Sequence, residues 1–354
     1  MTQFIQIHLL TAYPAANLNR DDTGSPKTVV FGGTTRLRIS SQSLKRAWRT
    51  SEVFKRELEG HIGVRTALLG RKVAEIFLKN GIDEKNALAW AAKIASVFGK
   101  VKTEKKGKKD SDPLIATEIE QLVHVSQQEL NDLEALAEKL GLEKREPTAE
   151  ELQLLRNKET DVDIALFGRM LASVPKYNVE AACQVSHAFG VGESVVEDDF
   201  FTAIDDLKQG KEEDLGAGHL GETAFGSALF YSYICINFDL LVSNLGGNEK
   251  LAKKAVRALA EAAMKVSPTG KQNSFASRAY AYWAMIEKGQ DQPRSLATAF
   301  CRPVFGLDQA AESITRIVQM RENLDAVYGQ HTESRSFNTF EKQGTAQELL
   351  DFIG

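Results

Sequence analysis

The order of strand-like and helix-like segments is the feature that most constrains what this chain can fold into. Residues 4–10 alternate apolar and polar side chains, which predicts a half-buried strand, and residues 42–58 have helical spacing. Further strands are predicted at 162–171, 229–237 and 278–287, and further helices at 178–189 and 248–266. With insertions set aside, the core reads strand–helix–strand–strand–helix–strand. That is the ferredoxin-like order, shared by RNA-recognition motifs (RRM), and it predicts an α+β fold.

Two stretches interrupt this core. Residues 60–160 are rich in Ala, Leu, Glu and Lys at helical spacing, which predicts a large helical insertion. Within it, residues 99–113 are rich in lysine and poor in apolar side chains, which predicts a solvated, mobile loop. Residues 193–226 begin acidic and end rich in glycine, and they form the second interruption.

Charge is segregated along the chain. The 44 Lys and Arg residues and 48 Asp and Glu residues leave a formal net charge of −4. Residues 20–49, however, carry seven cations and two aspartates, and residues 193–214 carry nine acids and two lysines. A near-neutral total therefore excludes a uniformly basic protein, but it does not exclude a polyanionic partner.

Cysteine usage and hydropathy indicate the compartment. Cys183, Cys235 and Cys301 lie far apart in the sequence, which argues against a zinc ribbon or a disulfide scaffold and fits a reducing environment. No apolar run approaches the roughly 18–20 residues that span a membrane, and the N-terminus lacks the features of a signal peptide. We therefore expect a soluble, cytoplasmic protein with no membrane partner.

The predicted helix at 42–58 separates a basic face from a packing face. At 100° per residue, one arc of about 100° collects Gln42, Lys45, Arg46 and Arg49. The opposite side collects Leu44, Ala47, Trp48 and Ser51. Cations in the first turns of a helix oppose its macrodipole, and a bound phosphate backbone would resolve that conflict. A merely solvated basic face explains the same pattern about equally well.

Nearby basic residues favour the nucleic-acid interpretation. They are Arg20, Lys27, Arg36 and Arg38. Arg36 and Arg38 share one face of a predicted strand, so these two side chains could equally face solvent at a sheet edge.

Two adjacent aromatic residues, Phe200 and Phe201, stand in an acidic, loop-like segment. Stacking against nucleic-acid bases is one use for such side chains, and packing within a hairpin is the other. Because the surrounding acids would repel a phosphate backbone, we expect any contact to be with base faces.

Candidates for catalysis are weak. The six histidines show no metal-ligand spacing, and we find no nucleotide-hydrolysis motif. Asp21 and Asp22 could together bind Mg²⁺ and promote RNA cleavage, although adjacent aspartates in a turn more often serve the turn itself. We therefore expect no catalytic residue, no metal and no cofactor.

Several segments resemble one known family, in the same order along the chain. They are residues 18–49, 163–170, 200–207 with the AGHLG that follows, and 229–237. Together they resemble the backbone subunit, CasC, of the type I-E CRISPR Cascade complex, and the block RISSQSLKRA is the most specific part. The resemblance implies a hand-like, RAMP-type architecture with a ferredoxin-like palm at 1–59, 161–192 and 227–354, helical fingers at 60–160 and a β-hairpin thumb at 193–226.

The resemblance also implies a guide-RNA scaffold rather than an enzyme. Copies of the chain would bind head to tail along a CRISPR RNA, and each thumb would displace one guide nucleotide, so that the remaining segments pair with target DNA. The other Cascade subunits, CasA, CasB, CasD and CasE, would be further partners. A metal-dependent RNase that uses Asp21 and Asp22, and a generic single-stranded RNA-binding protein, are the alternatives.

Roles for individual residues follow from the same resemblance. Contacts to the guide backbone fall on Arg20, Lys27, Ser40, Gln42, Lys45, Arg46 and Arg49. The palm strand supplies Arg169 and Met170, of which Met170 would wedge against the displaced base. The thumb residues that stack at the interruption are Phe200, Phe201 and Thr202, with Phe200 where the family has tryptophan. An acidic thumb that meets a basic neighbouring palm would favour head-to-tail assembly.

Overall fold

The computed structural model describes residues 2–102, 112–156, 159–171, 174–203, 219–329 and 332–354. Most of the predicted lysine-rich loop at 99–113 lies outside the described residues. The end of the acidic stretch at 193–214 and the segment that would form the tip of the thumb lie outside them too.

Strands and helices occur throughout the described chain. The strands are Phe4–Ala16 (β1), Thr28–Phe31 (β2), Thr34–Ile39 (β3), Val64–Thr66 (β4), Val123–Val125 (β5), Cys183–Val185 (β6), Ala188–Gly190 (β7), Glu197–Ala203 (β8), His219–Asn237 (β9), Ala281–Gly289 (β10) and Glu333–Asn338 (β11). The α-helices are Ser41–Arg49 (α1), Glu52–Glu57 (α2), Leu69–Lys79 (α3), Glu84–Ala95 (α4), Gln127–Glu143 (α5), Val162–Phe167 (α6), Phe238–Asn244 (α7), Glu249–Lys265 (α8), Gln272–Phe275 (α9), Gln309–Tyr328 (α10) and Ala346–Ile353 (α11).

The chain divides into two compact units. The first unit comprises Met1–Phe54, Val185–Cys235 and Val256–Gly354, and the second comprises Lys55–Gln184 and Ile236–Ala255. The first contains a large antiparallel sheet, so the predicted α+β class is confirmed. Within the described ranges, no helix combines the length and the hydropathy needed to cross a bilayer.

The sheet of the first unit carries the apolar core. Its strands follow the order β11-β10-β1-β9-β7-β3-β2, and β8 also pairs with β9. Strand β1 is antiparallel to β10, with Phe4 opposite Gly289. Buried side chains from β1, β9 and β10 pack together with the segment after β10, among them Leu10, Tyr231, Trp283 and Phe300. The strands predicted at 4–10 and 229–237 are therefore confirmed as parts of β1 and β9, and the strand predicted at 278–287 is confirmed from Ala281 onward as β10.

A buried polar network ties the centre of this sheet to the chain that follows β10. Glu287 accepts hydrogen bonds from His8 Nε2 at 3.0 Å, from Arg294 at 2.8 Å and from Arg321 at 2.7 Å. His8 Nδ1 lies 3.0 Å from the Tyr231 hydroxyl. Burial alone would raise the pKa of Glu287, but the bonds from His8 and Arg294 outweigh it and hold this pKa well below its usual range. Burial lowers the pKa of His8, although the hydrogen bond to Glu287 opposes this effect.

The second unit packs α3, α4 and α5 around an apolar core. Val73, Phe77 and Ile94 are fully buried there. A capping box begins α5, because the Ser126 hydroxyl accepts from the Glu129 N–H and the Glu129 carboxylate accepts from the Ser126 N–H. The helical content predicted for residues 60–160 is confirmed by these three helices.

Two predicted elements are of the wrong type. Residues 162–171, predicted as the second strand of the core, instead begin with the helix α6, which ends at Phe167, before Gly168 with a φ of 79°. A short apolar run does not distinguish a buried strand from a buried helix, and here Val162 to Leu166 are all buried. Residues 178–189, predicted as a helix, contain β6 and β7. Strand β7 pairs with β3 and β9, and this long-range pairing overrides the local helical tendency.

Candidate nucleic-acid interface

Helix α1 presents a basic surface on the first unit. The Ser40 hydroxyl caps it by accepting from the Ser43 N–H at 3.3 Å. The buried side chains are Leu44, Ala47 and Trp48, which confirms the predicted packing face. The opposite face carries the predicted contact residues Gln42, Lys45, Arg46 and Arg49, of which Gln42 and Arg46 are exposed and the other two half-buried.

The predicted single helix at 42–58 is wrong, and the correction changes the electrostatics. Helix α1 ends at Arg49, and the Ser51 hydroxyl accepts from the Phe54 N–H in the first turn of α2. Arg46 and Arg49 therefore lie in the last turn of α1, where the macrodipole favours cations. The expected conflict between charge and macrodipole does not apply to these two arginines.

The segment before β2 is bonded to the start of α1. Asn19 Oδ1 accepts from the Ser40 N–H at 2.8 Å, and the Asn19 carbonyl accepts from the Lys27 N–H at 2.9 Å. The Lys27 carbonyl accepts from the Arg38 N–H at 2.7 Å. An isolated bridge pairs Arg20 with Pro26. These bonds bring Arg20, Lys27 and Ser40 together, and the central role of Asn19 has no signal in the sequence beyond its residue type.

Several of these cations have no acidic partner among the described residues. Among the described residues, Arg20, Lys27 and Arg46 make no ion pair, and their side chains are exposed or half-buried. Lys45 and Arg49 each take part in a further interaction within the chain. The surface therefore carries positive charge that the described protein does not neutralise, which is what a polyanion needs.

Arg36 does not belong to this surface. It is fully buried, and its guanidinium donates to the carbonyls of Gly190 at 2.9 Å, Val191 at 2.7 Å and Phe300 at 3.2 Å. The expectation that Arg36 would support a nucleic-acid surface or face solvent is therefore wrong, because its charge is used to satisfy three backbone acceptors inside the fold.

The aspartate pair lies in a closed turn. Asp21 Oδ1 accepts from the Thr23 hydroxyl at 2.7 Å, from the Thr23 N–H at 2.9 Å and from the Ser25 N–H at 3.0 Å. These bonds, led by the one from the Thr23 hydroxyl, lower the pKa of Asp21. No group of three His, Cys, Asp or Glu side chains suited to a metal occurs in the part of the chain that the structure describes. Asp21 therefore has the hydrogen bonds of an aspartate that stabilises its own turn.

The two aromatic residues lie on a β-hairpin. Strand β8 is antiparallel to the start of β9, with Phe200 opposite Glu222, Phe201 opposite Gly221 and Thr202 opposite Leu220. Phe200 is 63% exposed and Phe201 44%. A Cβ added to Gly221 would come within 2.3 Å of the Phe201 ring, so this ring packs directly on the backbone of Gly221. Adjacent strand residues point to opposite faces, which leaves Phe200 as the more available of the two rings.

Arg169 and Met170 belong to the second unit and differ sharply in exposure. The Arg169 side chain is 1% exposed and pairs with the fully buried Glu129 at 2.7 Å. It also donates to the carbonyls of Tyr177 and Arg156. Arg169 therefore has its donors engaged inside the unit rather than presented to a ligand. Met170 is 85% exposed, and it lines a cavity of about 210 Å³ together with apolar residues such as Phe98 and charged ones such as Glu120.

We expect Arg169→Met to act on folding. Removing the guanidinium leaves the Glu129 carboxylate buried without its partner, so the free energy of unfolding should fall by about 3–5 kcal/mol. Denaturant unfolding would measure this loss. The matched control is Arg156→Met, which breaks an exposed ion pair with Asp132 and should cost less than about 1 kcal/mol. A stable Arg169→Met protein with weakened RNA binding would contradict this assignment.

The fold and this surface define an α+β protein with a large antiparallel sheet and an unneutralised basic face. The family of CT1975-like proteins (Cas_CT1975) matches residues 5–351, and the chain belongs to this family.

Solved structures agree with the family match. The chain is similar to one described as "CRISPR RNA-guided surveillance complex, pre-nicking", at 31% identity, with a TM-score of 0.83 and with 99% of this chain and 98% of the other covered. It is also similar to one described as "CRISPR RNA-guided surveillance complex", at 26% identity, with a TM-score of 0.73 and the same coverage. No curated protein matches the chain.

Proposed function

We propose that the chain is a backbone subunit of a CRISPR RNA-guided surveillance complex and that it holds the guide RNA without cutting it. The observation that carries the proposal is the basic surface formed by Arg20, Lys27 and Arg46, which make no ion pair within the described residues. Such a surface binds a phosphate backbone without reading its sequence, which suits a subunit that leaves sequence recognition to base pairing. The likeness to chains of two surveillance complexes supports the same function.

Within that function, we propose the type I-E backbone subunit, CasC, with a ferredoxin-like, RAMP-type palm. In support, the four central strands are ordered β10-β1-β9-β7. If β1, β7, β9 and β10 are numbered one to four in chain order, the order across the sheet is four, one, three, two. A ferredoxin-like sheet has the same order. In this numbering β7 is the second core strand, whereas the sequence predicts that strand at residues 162–171.

Copies of the chain would assemble head to tail along the guide, in the cytoplasm, and leave guide segments free to pair with target DNA. The acidic residues of the predicted thumb and the basic surface around α1 have complementary charge, which would favour an open, polar assembly. CasA, CasB, CasD and CasE are the further partners that this proposal implies.

The test uses purified protein, an end-labelled CRISPR RNA and Mg²⁺, with each mixture run on a native and a denaturing gel. The scaffold function predicts a ladder of shifted species with intact RNA. Cleavage that EDTA and an Asp21→Asn variant abolish would instead mean that the chain is a metal-dependent RNase. A single shifted species that does not depend on guide length would mean a generic single-stranded RNA-binding protein.

A second expectation concerns the hairpin. Phe200→Ala together with Phe201→Ala should leave coating of the RNA intact but loosen the regular interruption of the guide, because each lost stacking contact is worth about 1–3 kcal/mol. Chemical probing of the guide bases would measure the change. Tyr280→Ala removes another exposed aromatic side chain of the first unit and is the matched control. An unchanged reactivity pattern in the double variant would contradict the stacking role.

A further inference from the structure

A row of three basic residues crosses one end of the sheet. Lys27 directly precedes β2, Arg38 lies on β3 and His187 directly precedes β7. These strands are neighbours in the order β7-β3-β2, and Arg38 stands opposite Phe189 in the register. Because neighbouring strands are about 4.8 Å apart, the three backbone positions span about 10 Å. Of the three, only Lys27 belongs to the contacts that the family resemblance implies.

The Arg38 guanidinium is fixed by two hydrogen bonds. Nη1 donates to His187 Nδ1 at 2.7 Å, and Nε donates to the Thr28 carbonyl at 3.3 Å. A guanidinium only donates, so Nδ1 must be the acceptor, and the imidazole proton sits on Nε2. His187 is therefore neutral in this arrangement. Arg38 and Lys27 line the same small cleft, which places the held guanidinium beside a second cation.

The two charged groups that shift the pKa of His187 are both positive. Burial, followed by the charges of Arg38 and Lys27, lowers the pKa of His187. These are the charged groups that face the imidazole, one from β3 and one from the segment before β2. No carboxylate in the described ranges forms an ion pair with either cation. The row is thus a cluster of cations that the described protein leaves without a counter-ion.

We propose that Arg38 is a further phosphate contact of the guide-binding surface and that His187 is the residue that positions it. The proposal rests on the proposed RNA-binding function. In the free protein the neutral imidazole holds the guanidinium in place. A bound phosphate that accepts hydrogen bonds from the guanidinium instead leaves Nδ1 of His187 able to take up a proton.

Phosphate binding then couples to proton uptake. A phosphate between Lys27 and Arg38 offsets the two charges that disfavour the imidazolium, so the pKa of His187 is higher in the bound state than in the free state. Binding is therefore strengthened as the pH falls through the bound-state pKa, and the gain levels off below the free-state pKa. The arrangement predicts tighter RNA binding on the acidic side of neutrality.

The experiment measures the dissociation constant of a labelled single-stranded RNA by fluorescence anisotropy at about pH 5.5 and about pH 8. Wild type should bind about three- to tenfold tighter at the lower pH, since one coupled proton gives at most tenfold per pH unit. Arg38→Gln should weaken binding at both pH values and lose the pH dependence. His187→Leu should also weaken binding, and His187→Asn, which restores an acceptor near the position of Nδ1, should recover affinity without the pH dependence.

The matched control is His61→Asn, which removes an exposed histidine of the second unit and should keep the wild-type pH dependence. Thermal unfolding of each variant separates a local effect from loss of the fold. Wild-type affinity in Arg38→Gln, or an undiminished pH dependence in His187→Asn, overturns the proposal while the guide-binding function stands. Failure of the wild type itself to bind RNA would overturn that function instead.

Discussion

Replacing Arg20, Lys27 and Arg46 together by glutamine should weaken the binding of single-stranded RNA by about 100-fold at roughly 0.1 M salt. None of the three makes an ion pair within the described residues, so their loss removes phosphate contacts without breaking a described salt bridge. Each phosphate contact on a single strand contributes about 0.7 to the slope of log K against log salt, so the slope should become shallower by about 2. Anisotropy titrations over a salt series measure both quantities.

The matched control carries the same change of charge in the second unit. Lys79, Lys250 and Lys254 are exposed residues of α3 and α8, and their replacement by glutamine should leave both the affinity and the slope close to wild type. The loss in the first variant should also be equal for RNAs of different sequence, because the contacts are to the backbone. An equal loss in both variants would show that net charge, and not this surface, drives binding.

Glu287→Gln should lower the free energy of unfolding by about 3–5 kcal/mol. The carboxylate binds His8, Arg294 and Arg321 in the buried network of the sheet. An amide would remove the buried counter-charge of the two guanidinium groups and leave them to share Asp325. Denaturant unfolding at neutral pH measures the loss. Glu341→Gln, an exposed substitution of the same kind, should change stability by less than about 0.5 kcal/mol.

The same network sets the direction of the pH dependence of stability. The folded-state pKa values of His8 and Glu287 both lie below their ordinary values, so the unfolded chain binds more protons. Stability is therefore fully present above the ordinary histidine pKa and falls as the pH decreases, first through His8 and then through Glu287. Glu287→Gln should remove the second part of this loss. Greater stability of the wild type at pH 5 than at pH 7.5 would contradict the assignment.

The sequence was sufficient for the class of fold and for three of the nine strands that the described residues contribute to the sheet, because those three segments have pronounced patterns. Residues 4–10 and 229–237 carry long apolar or alternating runs, which leave little choice of structure. The run at 162–171 is shorter, and whether such a run becomes a helix or a strand depends on tertiary contacts that a local pattern does not contain. Strand β7 has three residues, too few for any periodicity to be seen.

In the candidate site, likewise, the packing within one helix was predictable and the contacts between distant segments were not. The packing face of α1 was predictable because Leu44, Ala47 and Trp48 recur at helical spacing. Alternation on β3 predicted that Arg36 and Arg38 share one face of the strand. It could not show that Arg36 is buried and donates to carbonyl groups, or that Arg38 donates to His187. Arg169 likewise carries no mark in the sequence of its pairing with Glu129, which lies 40 positions away.

Strand β9 serves the hairpin and the central sheet at once. It runs without a break from His219 to Asn237, first paired with β8 and then set between β1 and β7. At about 3.3 Å per residue, β9 is roughly 60 Å long. One end of it is held between β1 and β7 in the central sheet. A force applied to the hairpin by a bound nucleic-acid strand or by a neighbouring copy would be transmitted directly to the central sheet. The reason is that β9 continues from the hairpin into the sheet as a single strand.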